Sequence, residues 1–250
     1  MAYQSSVWIG SIAALCPSQD TAGDGTTTLT DFTGVSNGVL TSMDAATDWV
    51  TDDGKRCLDF DGVNDYVVTT ATPISIAQRV SMSFYARRVA NTGFGVCFGV
   101  APAINSPSHQ LIFYHYTDGN VYIHVGGLNY GIFAWALTDQ AWHSVVINFD
   151  GTATGNANRL KAWMDGSAKT ITFSGTIPAA IISADSRVFL GASPYSPSPN
   201  YGAFRLDDFR LRLRVMSDAE RAEIDASRGG TYAAASGGIP IARGMHGGMR

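Results

Sequence analysis

The chain has 250 residues, of which 45% are apolar and only 15% charged, with a formal net charge of −4 at pH 7. That length suits one large all-β domain or two small ones, with apolar residues enough for a substantial core. The slight negative balance gives no electrostatic case for nucleic acid or an anionic membrane, and no apolar run approaches the roughly 18 residues that span a bilayer.

The first 56 residues read as an irregular lead-in with short strands, including a Gly/Thr-rich stretch from Asp20 to Thr30 and a tight turn at Ser36-Asn37-Gly38. The opening residues lack the basic region of a secretory signal, so synthesis without an export signal is expected. Leu58 to Gly62 alternates, a turn at Val63-Asn64-Asp65 leads into Tyr66-Val67-Val68, and Val80, Met82 and Phe84 alternate inward. Next come Gly95 to Val100, then Leu111 to Tyr116 and Val121 to Val125, joined across Asp118-Gly119-Asn120 as a hairpin. Trp142 to Phe149 puts His143, Val145, Ile147 and Phe149 on one side. A Gly/Asn-rich loose tip joins it to Leu160–Met164, which ends at Asp165-Gly166. Ala168 to Phe173 and Arg187 to Gly191 follow, then a Pro/Ser/Tyr loop from Ser193 to Tyr201.

From Phe204 to Val215, Phe209, Leu211, Leu213 and Val215 face one way and Arg210, Arg212 and Arg214 the other, as in a strand with one dry face. Ser217-Asp218-Ala219-Glu220 is a capping box opening one short helix, stopped by Gly229-Gly230. Many strands, turn signals throughout and almost no helix define an all-β, two-sheet antiparallel sandwich over residues 1–227. Residues 228–250 form a Gly/Ala/Arg-rich extended tail.

Four segments in order resemble the laminin-G-like, concanavalin A-like jelly roll: Gly25 to Phe32 followed by Gly38; Leu58 to Val67; Trp142-His143 with Asp165-Gly166; and Asp207 to Leu211 running into Met216 to Glu220. The resemblance implies two antiparallel sheets with first and last strands adjacent. It also implies cross-strand pairs of Asp59 and Asp61 with the arginine stripe, whose simpler reading is a solvated sheet face. Domains of this kind often hold Ca²⁺ near the rim through hard oxygen ligands. Asn64, Asp65 and Asp207 are the residues that would supply them, Asp207 pointing inward with Phe209. The competing reading is that turn amides satisfy Asp207.

No catalytic group is expected. Glycosidases on such a fold need two carboxylates about 5–10 Å apart. The only glutamates, Glu220 and Glu223, fall in the terminal helix, so an aspartate pair would have to serve. His109, His115, His124 and His143 lie on separate strands, no Ser or Cys carries a nucleophile-elbow glycine frame, and His143 reads as a satisfied core histidine. Cys16, Cys57 and Cys97 have no metal-ligand spacing; thiols are expected, a Cys16–Cys57 bridge being the alternative. Tyr130, Trp135, Tyr195 and Tyr201 lie among Gly, Pro and Asn, where aromatics stack on sugars, anchor protein interfaces or cover sheet edges. In the tail, Ile239-Pro240-Ile241, Arg243 and Arg250 would lie along a neighbouring subunit as an extended strand, or dock back on their own domain.

The expected function is a non-catalytic jelly-roll protein that builds or decorates a symmetric assembly, with protein subunits as partners in a homo-oligomer. A tailed-phage virion surface, capsid or tail, is the expected location, otherwise the extracellular space. The alternative is a carbohydrate-binding module recognising glycans at a loop rim, with or without calcium.

Overall fold

Strict alternation of apolar and polar residues leaves these segments no arrangement but strands with one buried face. The computed structural model pairs them antiparallel in two stacked sheets. It describes residues 11–20, 26–70, 74–89, 95, 97–103, 111–135, 140–194 and 200–227. Tyr195, His109, the helix stop at Gly229-Gly230, and Ile239, Pro240, Ile241, Arg243 and Arg250 of the tail lie outside the described residues.

The first sheet runs Ser167–Ala168, Leu160–Met164, Trp142–Asp150, Arg79–Arg88, Ala203–Arg212, Lys55–Asp61, Trp49–Asp52, and Ser11–Leu15 joins the second half of Ala203–Arg212. First and last long strands are thus adjacent, as the resemblance implies. The second sheet runs Thr172–Ser174, Tyr130–Ala134, Asn120–Val125, Leu111–His115, Cys97–Ala101, Ile181–Leu190, Tyr66–Thr69, Gly38–Thr41, Thr28–Leu29. Inward residues of both sheets make one core. At its centre the Phe98 ring lies 4.3 Å from Phe84, 5.5 Å from Phe209 and 5.6 Å from Phe204.

The strand Ala203–Arg212 departs from the expected phase. Phe204 and Leu206 point into the core, and so do Phe209 and Leu211, which simple alternation forbids. A bulge between Asp207 and Arg210 absorbs the extra residue, with Asp208 in the left-handed region at φ 58. Asp207 therefore does not share the side of Phe209. It is buried on the outer face, where it accepts a hydrogen bond from the Ser18 amide at 3.2 Å.

The arginine stripe is not a solvated face either. Arg210 and Arg212 are 0% exposed. Asp208 holds Arg210 at 2.6 Å, and Glu220 holds Arg212 at 3.2 Å and also pairs with Arg214. Asp59 pairs instead with Arg205, its partner in register, and Asp61 caps the 63–64 turn. The strand ends at Arg212, leaving Leu213 exposed.

The helix Asp218–Ser227 explains part of this burial. Its capping box forms: Ser217 N–H donates to Glu220, and Glu220 N–H to Ser217 Oγ. Below it Tyr85, Val146, Met216 and Ile224 make a small second core. Asn148 ties the chain down there, its amide donating to Met216 O and accepting from Met216 N–H.

The loop between Trp142–Asp150 and Leu160–Met164 is not loose. It carries a helical turn, Asn156–Arg159, and Asn156 and Arg159 both bond the Ile177 backbone. Cys16 and Cys57 are free buried thiols, so the bridge does not form. His143 is satisfied, but at the rim rather than in the core: Nδ1 lies 2.7 Å from the exposed Asp165 carboxylate.

Candidate functional site

Tyr130 falls in an aromatic group on the outer face of the second sheet. Trp135 is 1% exposed and packs edge-on to Phe113, so it is core rather than ligand-binding. Its sequence neighbours are polar or small, but inward register outweighs local composition. Tyr201 sits partly buried beside Tyr66 at 6.4 Å, and burial pushes its phenol up.

The group itself arises from three neighbouring strands of the second sheet. Leu111, Phe113, Val121, Ile123, Val125 and Phe133 point into the core. Period two then forces Tyr114, Tyr122, His124 and Tyr130 to the outer face. Register sets Tyr114 opposite Tyr122 and His124 opposite Tyr130. The rings touch in sequence: Tyr114 to Tyr122 at 5.2 Å, Tyr122 to Tyr130 at 5.7 Å and His124 to Tyr130 at 4.9 Å. Tyr116, 39% exposed, extends the row at 6.0 Å from Tyr122.

Polar tips hold these rings in place. Gly127 O can only accept, so His124 Nδ1 carries the proton donated to it at 3.2 Å. Nε2 shares a hydrogen bond with the Tyr114 hydroxyl, also at 3.2 Å. The Tyr122 hydroxyl donates to Asp118 at 2.8 Å, which pushes its own ionisation up to about 12. Slight desolvation works against the Asp118 carboxylate, but the Asn120 side chain and amide and the Tyr122 hydroxyl hold it below the usual range. The result is a strip of half-exposed aromatic surface edged by hydroxyls and one fixed negative charge. Tyr114, Tyr116, Tyr122 and His124 escape a search for aromatics in loops; their signal is the outward half of the hairpin alternation.

The metal candidates are not brought together. Asn64 is exposed at its turn, while Asp65 is 4% exposed and accepts from the Asp61 amide. Burial pushes the Asp65 carboxyl up to about 6. Asp207 is engaged by Ser18 on the far side of the first sheet. Among the described residues no three His, Cys, Asp or Glu side chains group as a metal site. The calcium set Asn64, Asp65 and Asp207 therefore does not fit.

A cleft of about 330 Å³ opens on the outer face of the first sheet, beside the helix, with Asp150, Lys161, Trp163, Asp218 and Arg221 around it. Arg221 lies 3.9 Å over the Trp163 ring and pairs with Asp218 at 2.8 Å. The Thr152 hydroxyl, and then Arg79, hold Asp150 below the usual carboxylate range. A two-carboxylate glycosidase needs one acid kept protonated, and this ionised Asp150 with an exposed, ion-paired Asp218 does not support one.

No protein-family model matches the sequence, and no curated protein matches it. Solved structures do. One is Trypanosoma rangeli sialidase holding 2,3-difluorosialic acid as a covalent intermediate, with TM-score 0.61 and 12% identity over 92% of this chain and 35% of that one. Another is the receptor-binding domain of botulinum neurotoxin C/D mosaic serotype, with TM-score 0.58 and 11% identity over 88% and 51%. A third is the native heptameric SAP-like pentraxin of Limulus polyphemus, with TM-score 0.50 and 14% identity over 67% and 80%. The chain thus spans about a third of the sialidase's length and about half of the toxin domain's. At such identities the likeness shows the fold alone: a two-sheet antiparallel β-sandwich of the jelly-roll kind.

Proposed function

We propose that the protein is a non-catalytic binding module that takes up carbohydrate on the outer face of its second sheet, through Tyr114, Tyr116, Tyr122 and Tyr130 beside Asp118. The observation that carries this reading is the contiguous, partly exposed row of rings at outward positions of three adjacent strands. Sugars present C–H faces that lie on aromatic rings and hydroxyls that bond to polar tips, and tyrosine offers both. The fold supports it as well. Among the proteins of similar fold, the sialidase has been solved with sialic acid and the toxin domain is a receptor-binding domain. A glycan array probed with the full chain tests the reading. Hits that disappear in Tyr114→Ala and Tyr122→Ala support it; an array without hits overturns it.

A second reading, compatible with the first, is a homo-oligomeric surface component of a tailed-phage particle, capsid or tail. The charged fraction is low, and Phe32, Val35 and Val39 are exposed close to the short edge strand Thr28–Leu29. The composition of 228–250, with Ile239-Pro240-Ile241 between glycines, suits a strand laid on a neighbouring copy. Light scattering of the eluted protein should give a multimer that dissociates when 228–250 are removed. A monomer would overturn this reading.

A further inference from the structure

We infer that the aromatic face selects neutral glycans and rejects acidic ones, sialylated and uronate-bearing sugars included. The inference rests on the carbohydrate reading and goes beyond it by naming the ligand class. The three strands under the rings, and the turns between them, come from a stretch with no lysine or arginine at all: none occurs between Arg88 and Arg159. Acidic sugars are ordinarily held by an arginine fork or a lysine, which pairs with the carboxylate. Here the fixed charge beside the rings is the opposite one. Asp118 is kept ionised by Asn120 and by Tyr122, whose ring is part of the platform.

Among the described residues, the strands of this sheet hold two other candidates for a compensating cation, and neither serves. Arg187 is the one Lys or Arg in the strands of this sheet. It pairs with Ala101, whereas Tyr114 pairs with Cys97 on the same strand. Two strands across and four residues along place it about 16 Å from the rings. That is roughly twice the screening length at physiological salt. His124 has both ring nitrogens engaged, Nδ1 with Gly127 O and Nε2 with the Tyr114 hydroxyl, so neither is turned toward a sugar carboxylate. Likeness in fold to a sialidase carries no ligand over to this chain, and the charges on this face argue against an acidic one.

The test is binding of the full chain to matched pairs of immobilised oligosaccharides that differ only by a terminal sialic acid, or by oxidation of one sugar to its uronate. In each pair that binds, the neutral member should bind about five-fold or more tightly, the penalty of one like charge within about 4 Å in water. The gap should shrink in Asp118→Asn, checked for folding by its melting temperature, and in the wild type as sodium chloride is raised. Acidic members that bind as well as their neutral partners would overturn the selectivity while leaving the carbohydrate site standing. Failure of every member of every pair to bind would instead remove the site, and the selectivity with it.

Discussion

The rings of Tyr114 and Tyr122 lie 5.2 Å apart and within 9° of parallel, directly opposite one another on antiparallel strands. Cross-strand aromatic pairs of this kind contribute about 0.5–1.5 kcal/mol beyond their buried area. Tyr122→Ala should therefore lower stability only modestly, by about 1 kcal/mol, because the ring is partly solvated. Glycan affinity should fall at least about ten-fold, the loss of one stacking partner being worth more than 1 kcal/mol. Urea melts beside titration of an array hit separate the two effects.

Tyr122 should also give the fold an alkaline weakness. Its hydrogen bond to Asp118 pushes its ionisation up to about 12, against about 10 in the unfolded chain. The folded state holds this proton more tightly, so the stabilisation is complete below pH 10 and lost as the pH rises toward 12. Between pH 9 and 11.5 the melting temperature of the wild type should fall further than that of Tyr122→Phe. Parallel curves would show the bond to be unimportant.

Asp208 is the residue on which the first sheet's outer face turns. Its left-handed backbone makes the bulge, its carboxylate chelates the fully buried Arg210, and it accepts a hydrogen bond from the Cys16 thiol at 2.8 Å. Asp208→Ala should cost about 3–5 kcal/mol by removing the carboxylate paired with that buried guanidinium. Asp208→Asn tolerates the same backbone and should cost less. Burial and then Asp208 push the Cys16 thiol up, so it should resist alkylation in the native wild type. Denaturant titration of both variants, with thiol labelling of the wild type, checks this.

Asp65 works against stability at neutral pH. Burial raises its carboxyl to about 6, more than the Asp61 amide that donates to it brings it down. The folded state thus binds this proton more tightly than the unfolded chain, and the penalty appears as the pH rises from 4 through 6. Asp65→Asn keeps an acceptor for Asp61 and should stabilise the protein by about 1–3 kcal/mol at pH 7.5, with no gain at pH 4. A destabilised variant at pH 7.5 would show that the carboxylate has a partner of greater worth.

The strands were legible because alternation is a strong signal: the hairpin across Asp118-Gly119-Asn120 and the strand Leu160–Met164 form where the pattern puts them. What was not legible came from tertiary cover. Alternation distinguishes two faces of Ala203–Arg212, but it cannot show that Asp208 of the bulge and Glu220 of the terminal helix meet the outer one, where Arg210 and Arg212 are buried. The bulge at Asp208 is a single left-handed residue that no periodicity announces, and it reverses the side on which Asp207 lies. The aromatic site was half legible. Tyr130 stood out by its glycine neighbours, whereas Tyr114 and Tyr122 looked like ordinary strand residues until register set them face to face.

The most direct test of the aromatic face is a map of aromatic and amide resonances of the full chain as an array-derived oligosaccharide is titrated in. The account predicts that the largest shifts fall on Tyr114, Tyr116, Tyr122, Tyr130 and the 117–120 turn, with Trp163 and Arg221 of the opposite cleft unmoved. Shifts centred on Trp163 and Arg221, with the tyrosine row silent, would contradict it.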